Sequence, residues 1–97
     1  MTAVAVDPSS APSIAEQTRN TLAELDQVLL ELGSDKTRII QATVYVTDIN
    51  KKAEMDAEWV KWIGADSNNW PQRACIQVEL AGKDHVEIVL VAAKKGC

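Results

Sequence analysis

The hydrophobic period switches along the chain, and that switching most restricts what it can fold into. Ile14, Thr18, Leu22, Leu25, Leu29 and Leu32 recur at three- and four-residue spacing, the pattern of a helix with one buried stripe. In "RIIQATVYVTD" (38–48) the period becomes two: Ile40, Ala42, Val44 and Val46 form one face, and Ile39, Gln41, Thr43, Tyr45 and Thr47 the other. Helical spacing returns in Met55, Trp59, Trp62 and Ile63. Alternation then resumes in "RACIQVEL" (73–80) and "HVEIVLVAAK" (85–94). With "TAVAV" (2–6) ahead of the first helix, the order is β-α-β-α-β-β.

The punctuation agrees with this order. Asp7-Pro8-Ser9-Ser10 is a turn signal, and Ser13 with Glu16 three residues later forms a capping box that opens the first helix. Gly33 supplies its stop. Asp48 or Asn50 caps the second helix, Gly64 ends it, 65–72 is loop, and "AGKD" (81–84) turns the chain into the last strand. Two βαβ units followed by a hairpin predict an α+β fold of one domain over 1–97: a mixed sheet with both helices on one face. The apolar strand faces, with Ala74, Ile76, Val78 and Leu80 among them, are expected to meet Leu22, Leu25, Leu29, Met55 and Trp59.

No remaining element covers the opposite sheet face, where Ile39, Tyr45, Cys75, Val89 and Val91 interleave with Gln41, Thr43, Arg73, Gln77 and Glu87. So much apolar surface predicts a homo-oligomer closed over its sheets. A chain of 97 residues buries only roughly 60–65% of its unfolded surface, so association would also add stability. The net charge of −4 and the scattered Lys and Arg residues, Lys94-Lys95 apart, argue against nucleic acid or an anionic membrane as partner. No stretch approaches the ~18–20 apolar residues of a membrane span, and "MTAVAVDPSS" has neither the basic nor the apolar segment of a signal peptide. Two cysteines, Cys75 and Cys97, match no disulfide framework or metal spacing, so a cytoplasmic protein with free thiols is expected.

The candidate chemistry lies in "NWPQRACIQVEL" (69–80). Arg73 opens a strand just after a proline-containing loop and presents a planar fork suited to a carboxylate; the alternative is an ordinary ion pair with a nearby glutamate. Glu87, on the neighbouring strand if the hairpin sets the register, is either a general acid/base or that ion-pair partner. Cys75 lies one pleat from Arg73, where positive charge favours a thiolate, yet no histidine is placed to activate it and a buried inert thiol is the simpler reading. His85 is the single histidine and makes no metal site by itself. Cys97 reads as a mobile terminal thiol. Trp59 and Trp62 read as packing, while Trp70 and Tyr45 are candidate cleft walls. These residues by themselves give an anion-binding site and no identifiable reaction.

The segments "IAEQTRNTLAELDQVLLELGSDKTRIIQATVYVTDI" (14–49), "MDAEWVKWI" (55–63), "WPQRACIQVEL" (70–80) and "VEIVLVAA" (86–93) resemble the RidA/YjgF family of reactive-intermediate deaminases through nearly the whole chain. The resemblance implies a chorismate-mutase-like α+β fold and a homotrimer whose sheets enclose a central barrel, with sites in the clefts between subunits. It also implies hydrolysis of 2-imino acids to 2-keto acids and ammonia without metal or organic cofactor. Arg73 matches the arginine that grips the substrate carboxylate, Glu87 the glutamate that orients or activates water, and Cys75 a cysteine at the site wall. The chain departs from the family pattern at its start, where an extra strand with a tyrosine-containing segment and a site serine are expected before "VAVDP". Met1-Thr2 stand in the serine's neighbourhood, and Asp56 stands where many relatives carry asparagine. A non-catalytic oligomeric module binding small keto or amino acids is therefore the alternative, with a protein-interaction scaffold a weaker third.

Overall fold

The computed structural model describes residues 1–94; Lys95 and Cys97 lie outside the described residues. Strand β1 (Thr2–Val6) leads to helix α1 (Ile14–Glu31), β2 (Ile39–Val46), α2 (Lys52–Ile63), β3 (Gln72–Gln77) and β4 (Val86–Ala92), with short 3-10 turns at 36–38, 49–51 and 67–69. The Ser13 hydroxyl accepts the Glu16 N–H at 3.1 Å and opens α1, as the capping box predicts. The helix closes where Ser34 N–H reaches the Leu29 carbonyl at 2.8 Å around Gly33. Gly33 sits at φ 77°, in the left-handed region where a side chain is disfavoured. Asp48 caps the 3-10 turn that leads into α2, accepting Asn50 N–H at 3.0 Å.

The four strands form one sheet in the order β1-β4-β2-β3. Strand β4 runs antiparallel to both β1 and β2, and β3 runs parallel to β2. The expected hairpin between the last two strands is therefore replaced by a skip. Residues 78–85 cross the end of β2, tied by Val78 N–H to the Val46 carbonyl at 2.9 Å and Thr47 N–H to the His85 carbonyl at 3.1 Å. The physical reason lies in β4 itself. Val86, Ile88 and Leu90 are all 0% exposed, and Val89 and Val91 are apolar on the other face. A strand apolar on both faces gains most from an interior position, whereas β3, carrying Gln72, Arg73 and Gln77, fits an edge.

Both helices lie on one face, as expected. Leu22, Leu25, Leu29, Met55 and Trp59 are buried with Val44, Val46, Ile88 and Leu90 in one core cluster. Trp62 and Ile63 only border it, and Leu32 at the end of α1 is exposed.

Two register features differ from the simple alternation. Ile39 pairs with Ala92 and Gln41 with Val91, so Ile40 is an extra residue in a bulge and is 60% exposed. Ile39, not Ile40, borders the core. On β3 the faces are the reverse of those expected: Arg73 pairs with Ala42 and Cys75 with Val44, which puts both on the helix side, while Ala74 and Ile76 point to the open face. A period of two fixes which residues alternate but not which set faces inward when both sets are partly apolar. At this edge the inner side lies under α2, where Asp56 meets Arg73, and Ile76 continues the row of Tyr45 outside.

Among the described residues no element covers the open face, which is half apolar, as the sequence predicts. It carries Val4, Val6, Val89, Val91, Tyr45 and Ile76 among Thr2, Gln41, Thr43 and Glu87.

Candidate functional site

The site is built where the edge strand β3 meets α2. Loop 64–71 delivers the chain to β3 through a 3-10 turn capped by Asp66, whose side chain accepts Asn68 N–H at 3.0 Å. Trp70 N–H reaches the Ser67 carbonyl at 3.2 Å, and the Trp70 indole N–H donates to the Gly64 carbonyl at 2.6 Å. Pro71 then fixes the backbone into the extended conformation that starts the strand.

Arg73 emerges two residues later. One guanidinium nitrogen donates to Asp56 Oδ1 at 2.6 Å; the other lies 3.6 Å from the Met55 thioether, a weak acceptor. The guanidinium carbon stands 5.5 Å from the centroid of the Trp59 ring, within cation–π range. Asp56 Oδ2 accepts from Lys52 at 2.6 Å, a half-buried i,i+4 pair on α2. Two cations thus share one carboxylate. Burial acts to raise the Asp56 pKa, but the hydrogen bonds and charges of Lys52 and Arg73 outweigh it and hold the carboxyl below its ordinary value. A cleft of 230 Å³ opens beside the pair, lined by Asp56, Trp59, Val60, Trp70, Pro71 and Arg73. Its volume falls below the roughly 300–1,000 Å³ of drug-sized ligand sites and suits a small molecule.

Cys75 is one pleat from Arg73 on the same face and is half-buried. Burial pushes its thiol pKa up, and the positive charges of Arg73 and Lys52 do not reverse this. A protonated thiol is a poor nucleophile, which favours the inert reading.

Glu87 is not beside Arg73. It pairs with Tyr45 and Val6 and so lies on the open face, while Arg73 lies with Ala42 and Leu90 on the helix face. The same-side placement expected from a β3–β4 hairpin fails because β2 separates the two strands. Tyr45 stands beside Glu87, away from the Arg73 cleft, whereas Trp70 does line that cleft. His85 lies 3.5 Å from the Thr47 hydroxyl, and its backbone N–H donates to Gln17 at 2.6 Å. Among the described residues, no group of His, Cys, Asp and Glu is gathered as a metal site, and no helix is long and apolar enough to cross a membrane.

Three participants were less visible in the sequence. Asp56 stands out there only as a departure from a family pattern, Trp59 only as core, and Lys52 not at all. The sequence does place Lys52, Asp56 and Trp59 on one turn-by-turn helical row, but nothing in that row names Arg73 as their partner.

The family model described as Endoribonuclease L-PSP matches residues 3–94. A RutC family protein of Haemophilus ducreyi is 40% identical over 79 residues, covering 80% of this chain and 66% of the relative. RutC family protein YoaB of Escherichia coli K12 is 43% identical over 79 residues, covering 80% of this chain and 68% of its own length. The chain thus spans about two thirds of the length of these relatives. Among solved structures, a YjgF family member from Neisseria meningitidis matches with a TM-score of 0.88 at 35% identity, over 98% of this chain and 78% of that one. A protein from Salmonella typhimurium, described as a candidate translation initiation inhibitor, matches with a TM-score of 0.86 at 38% identity, over 95% and 79% of the two chains. The two-helix, four-strand mixed sheet and these matches along its length agree: the chain belongs to the RidA/YjgF family.

Proposed function

We propose that the protein is an oligomeric hydrolase of 2-imino acids, with Arg73 as the carboxylate anchor. The observation that carries this reading is the charge arrangement of the Arg73 cleft. Arg73 and Lys52 share the single carboxylate of Asp56, which leaves one positive charge in surplus beside an apolar-walled cleft. The second arm of the guanidinium meets a thioether, a weak acceptor, at 3.6 Å, and we read it as the arm that takes a substrate carboxylate.

The reaction asks little else of the chain. Water adds to the electrophilic imine carbon, its proton passes to the nitrogen, and the C–N bond of the resulting carbinolamine breaks to give the 2-keto acid and ammonia. Holding the carboxylate and orienting one water supply the rate enhancement. Glu87 is the proposed carboxylate acting on that water. It is half-buried on the open face and makes no ion pair among the described residues. Since one chain sets Arg73 and Glu87 on opposite sheet faces, a complete site needs a second copy. We place it between subunits of a trimer closed over the open faces.

A binding module without catalysis is the second reading, favoured by the hold Asp56 already has on Arg73. Cleavage of RNA, suggested by the family model's description, is disfavoured by the net charge of −4 and the absence of a basic cluster in the sequence. The deciding experiment measures ammonia released from 2-iminobutanoate and 2-iminopropanoate generated in situ. Faster release with the native chain, lost in Arg73→Ala, supports the hydrolase. Rates equal to buffer from a folded oligomer leave the binding module.

A further inference from the structure

Trp70 is an aromatic side chain that the fold holds out toward solvent. It is 41% exposed, yet three restraints fix it: its backbone N–H to Ser67, its indole N–H to the Gly64 carbonyl at 2.6 Å, and the proline that follows. A loop that needed only apolar cover would turn the ring inward. Instead the indole N–H is satisfied by the C-terminal end of α2, and the ring forms part of the wall of the Arg73 cleft. The cleft therefore has two kinds of lining, the Arg73–Asp56 ion pair and the apolar groups of Trp59, Val60, Trp70 and Pro71.

Trp70 precedes Arg73 by three residues, a reach of at most roughly 10 Å along the chain. A methyl or ethyl group offers such an aromatic wall little to stack on, whereas a flat aryl group offers a whole face. Because Trp70 is already ordered, the ligand gains the stacking contact without the cost of immobilising the ring.

We propose that Trp70 is a specificity-determining residue and that the site selects 2-oxo and 2-imino monocarboxylates bearing a flat aromatic side chain. The proposal rests on the reading of the Arg73 cleft as a carboxylate site and adds the substrate class to it.

Binding of two stable keto acids, phenylpyruvate and 2-oxobutanoate, tests this by titration calorimetry on the native chain and on Arg73→Ala, Trp70→Ala and Trp70→Phe. The expected result is phenylpyruvate binding about tenfold tighter than 2-oxobutanoate. Trp70→Ala should remove that advantage, bringing the two Kd values within about twofold of each other, and a thermal melt of the variant checks that it still folds. Trp70→Phe, which keeps a ring and loses the indole N–H, should retain part of it. Equal affinity of the native chain for the two acids overturns the proposal, as does an equal loss for both in Trp70→Ala. Arg73→Ala separates the two layers. If it weakens both acids while the native chain binds the two equally, or while Trp70→Ala weakens both equally, the carboxylate site stands and the aromatic preference falls; if it weakens neither, both fall.

Discussion

Asp56 holds Arg73 at 2.6 Å and, through its other oxygen, Lys52 at 2.6 Å, so the residue that orients the anchor also competes with any carboxylate that approaches it. A substrate must either share the guanidinium fork or displace Asp56 from it. Asparagine at this place would keep the shape and lose the charge.

Asp56→Asn should therefore strengthen binding of 2-oxobutanoate, by about fivefold at low ionic strength, with the gain shrinking as salt rises. Titration calorimetry at two salt concentrations measures it. Weaker binding in the variant would mean that Asp56 serves mainly to position Arg73. Because the carboxyl pKa is lowered, its contribution to the native state is complete above the unfolded value and lost as pH falls through the folded one. Between pH 5 and 8 Asp56 should leave no inflection in the binding profile.

A buried carboxylate, Asp7, contributes to acid stability. Asp7 is 2% exposed and accepts from Ser9 N–H, the Ser9 hydroxyl and Ala11 N–H, each at 2.8 Å, and from Asn20 at 3.3 Å. Burial acts to raise its pKa, and these donors bring it below the ordinary value. Asp7→Ala orphans several donors and should cost about 2–3 kcal/mol, a fall in Tm of roughly 8–20 °C for a domain of this size. The native stabilisation should persist above about pH 4 and fade on further acidification, and Asp7→Ala should lack that acid-dependent part. Thermal melts from pH 3 to 7 on both proteins reveal it, and parallel curves would refute the assignment.

Cys75 should react slowly with iodoacetamide at neutral pH, since burial keeps its thiol protonated. Peptide-resolved mass spectrometry separates it from Cys97. Cys75→Ala should keep imine hydrolysis within about threefold of native; a loss of a hundredfold would restore it as a nucleophile.

Val4 is 52% and Ile76 43% exposed on the open face. If that face closes a trimer, Val4→Glu should yield monomers in light scattering, whereas an exposed helix position such as Glu24→Lys should not. A composite site makes a sharper demand. Inactive Arg73→Ala and Glu87→Gln chains, unfolded together and refolded as a mixture, should recover part of the native hydrolysis, because some interfaces then hold one intact Arg73 and one intact Glu87. No recovery from verified mixed oligomers would place both residues' work within one subunit, or remove Glu87 from the chemistry.

Much of this architecture is legible in the residues. The switch of period placed both helices and all four strands, and Ser13, Gly33 and Gly64 marked the helix ends because caps are local chemistry. What escaped depended on partners distant in sequence. The position of β4 followed from competition among strands for the interior, which no window on β3 or β4 contains. The inward turn of Arg73 depended on Asp56, and the bulge at Ile40 on the register against Ala92 and Val91. Arg73, Cys75 and Trp70 were legible as a group because they lie within six residues of one another; the separation of Glu87 from them was not.

The central place of β4 also sets an order in time. β1 and β2 touch no common ladder except through β4, the last of the four strands to leave the ribosome. Until Ala92 has emerged, neither β1 nor β2 has the neighbour that joins them. The longest-range pairings, between residues 2–6 and 87–91, carry the greatest loop-closure entropy. The sheet thus cannot be completed before β4 is made, and until then the apolar strands are open to chaperones, proteases and one another.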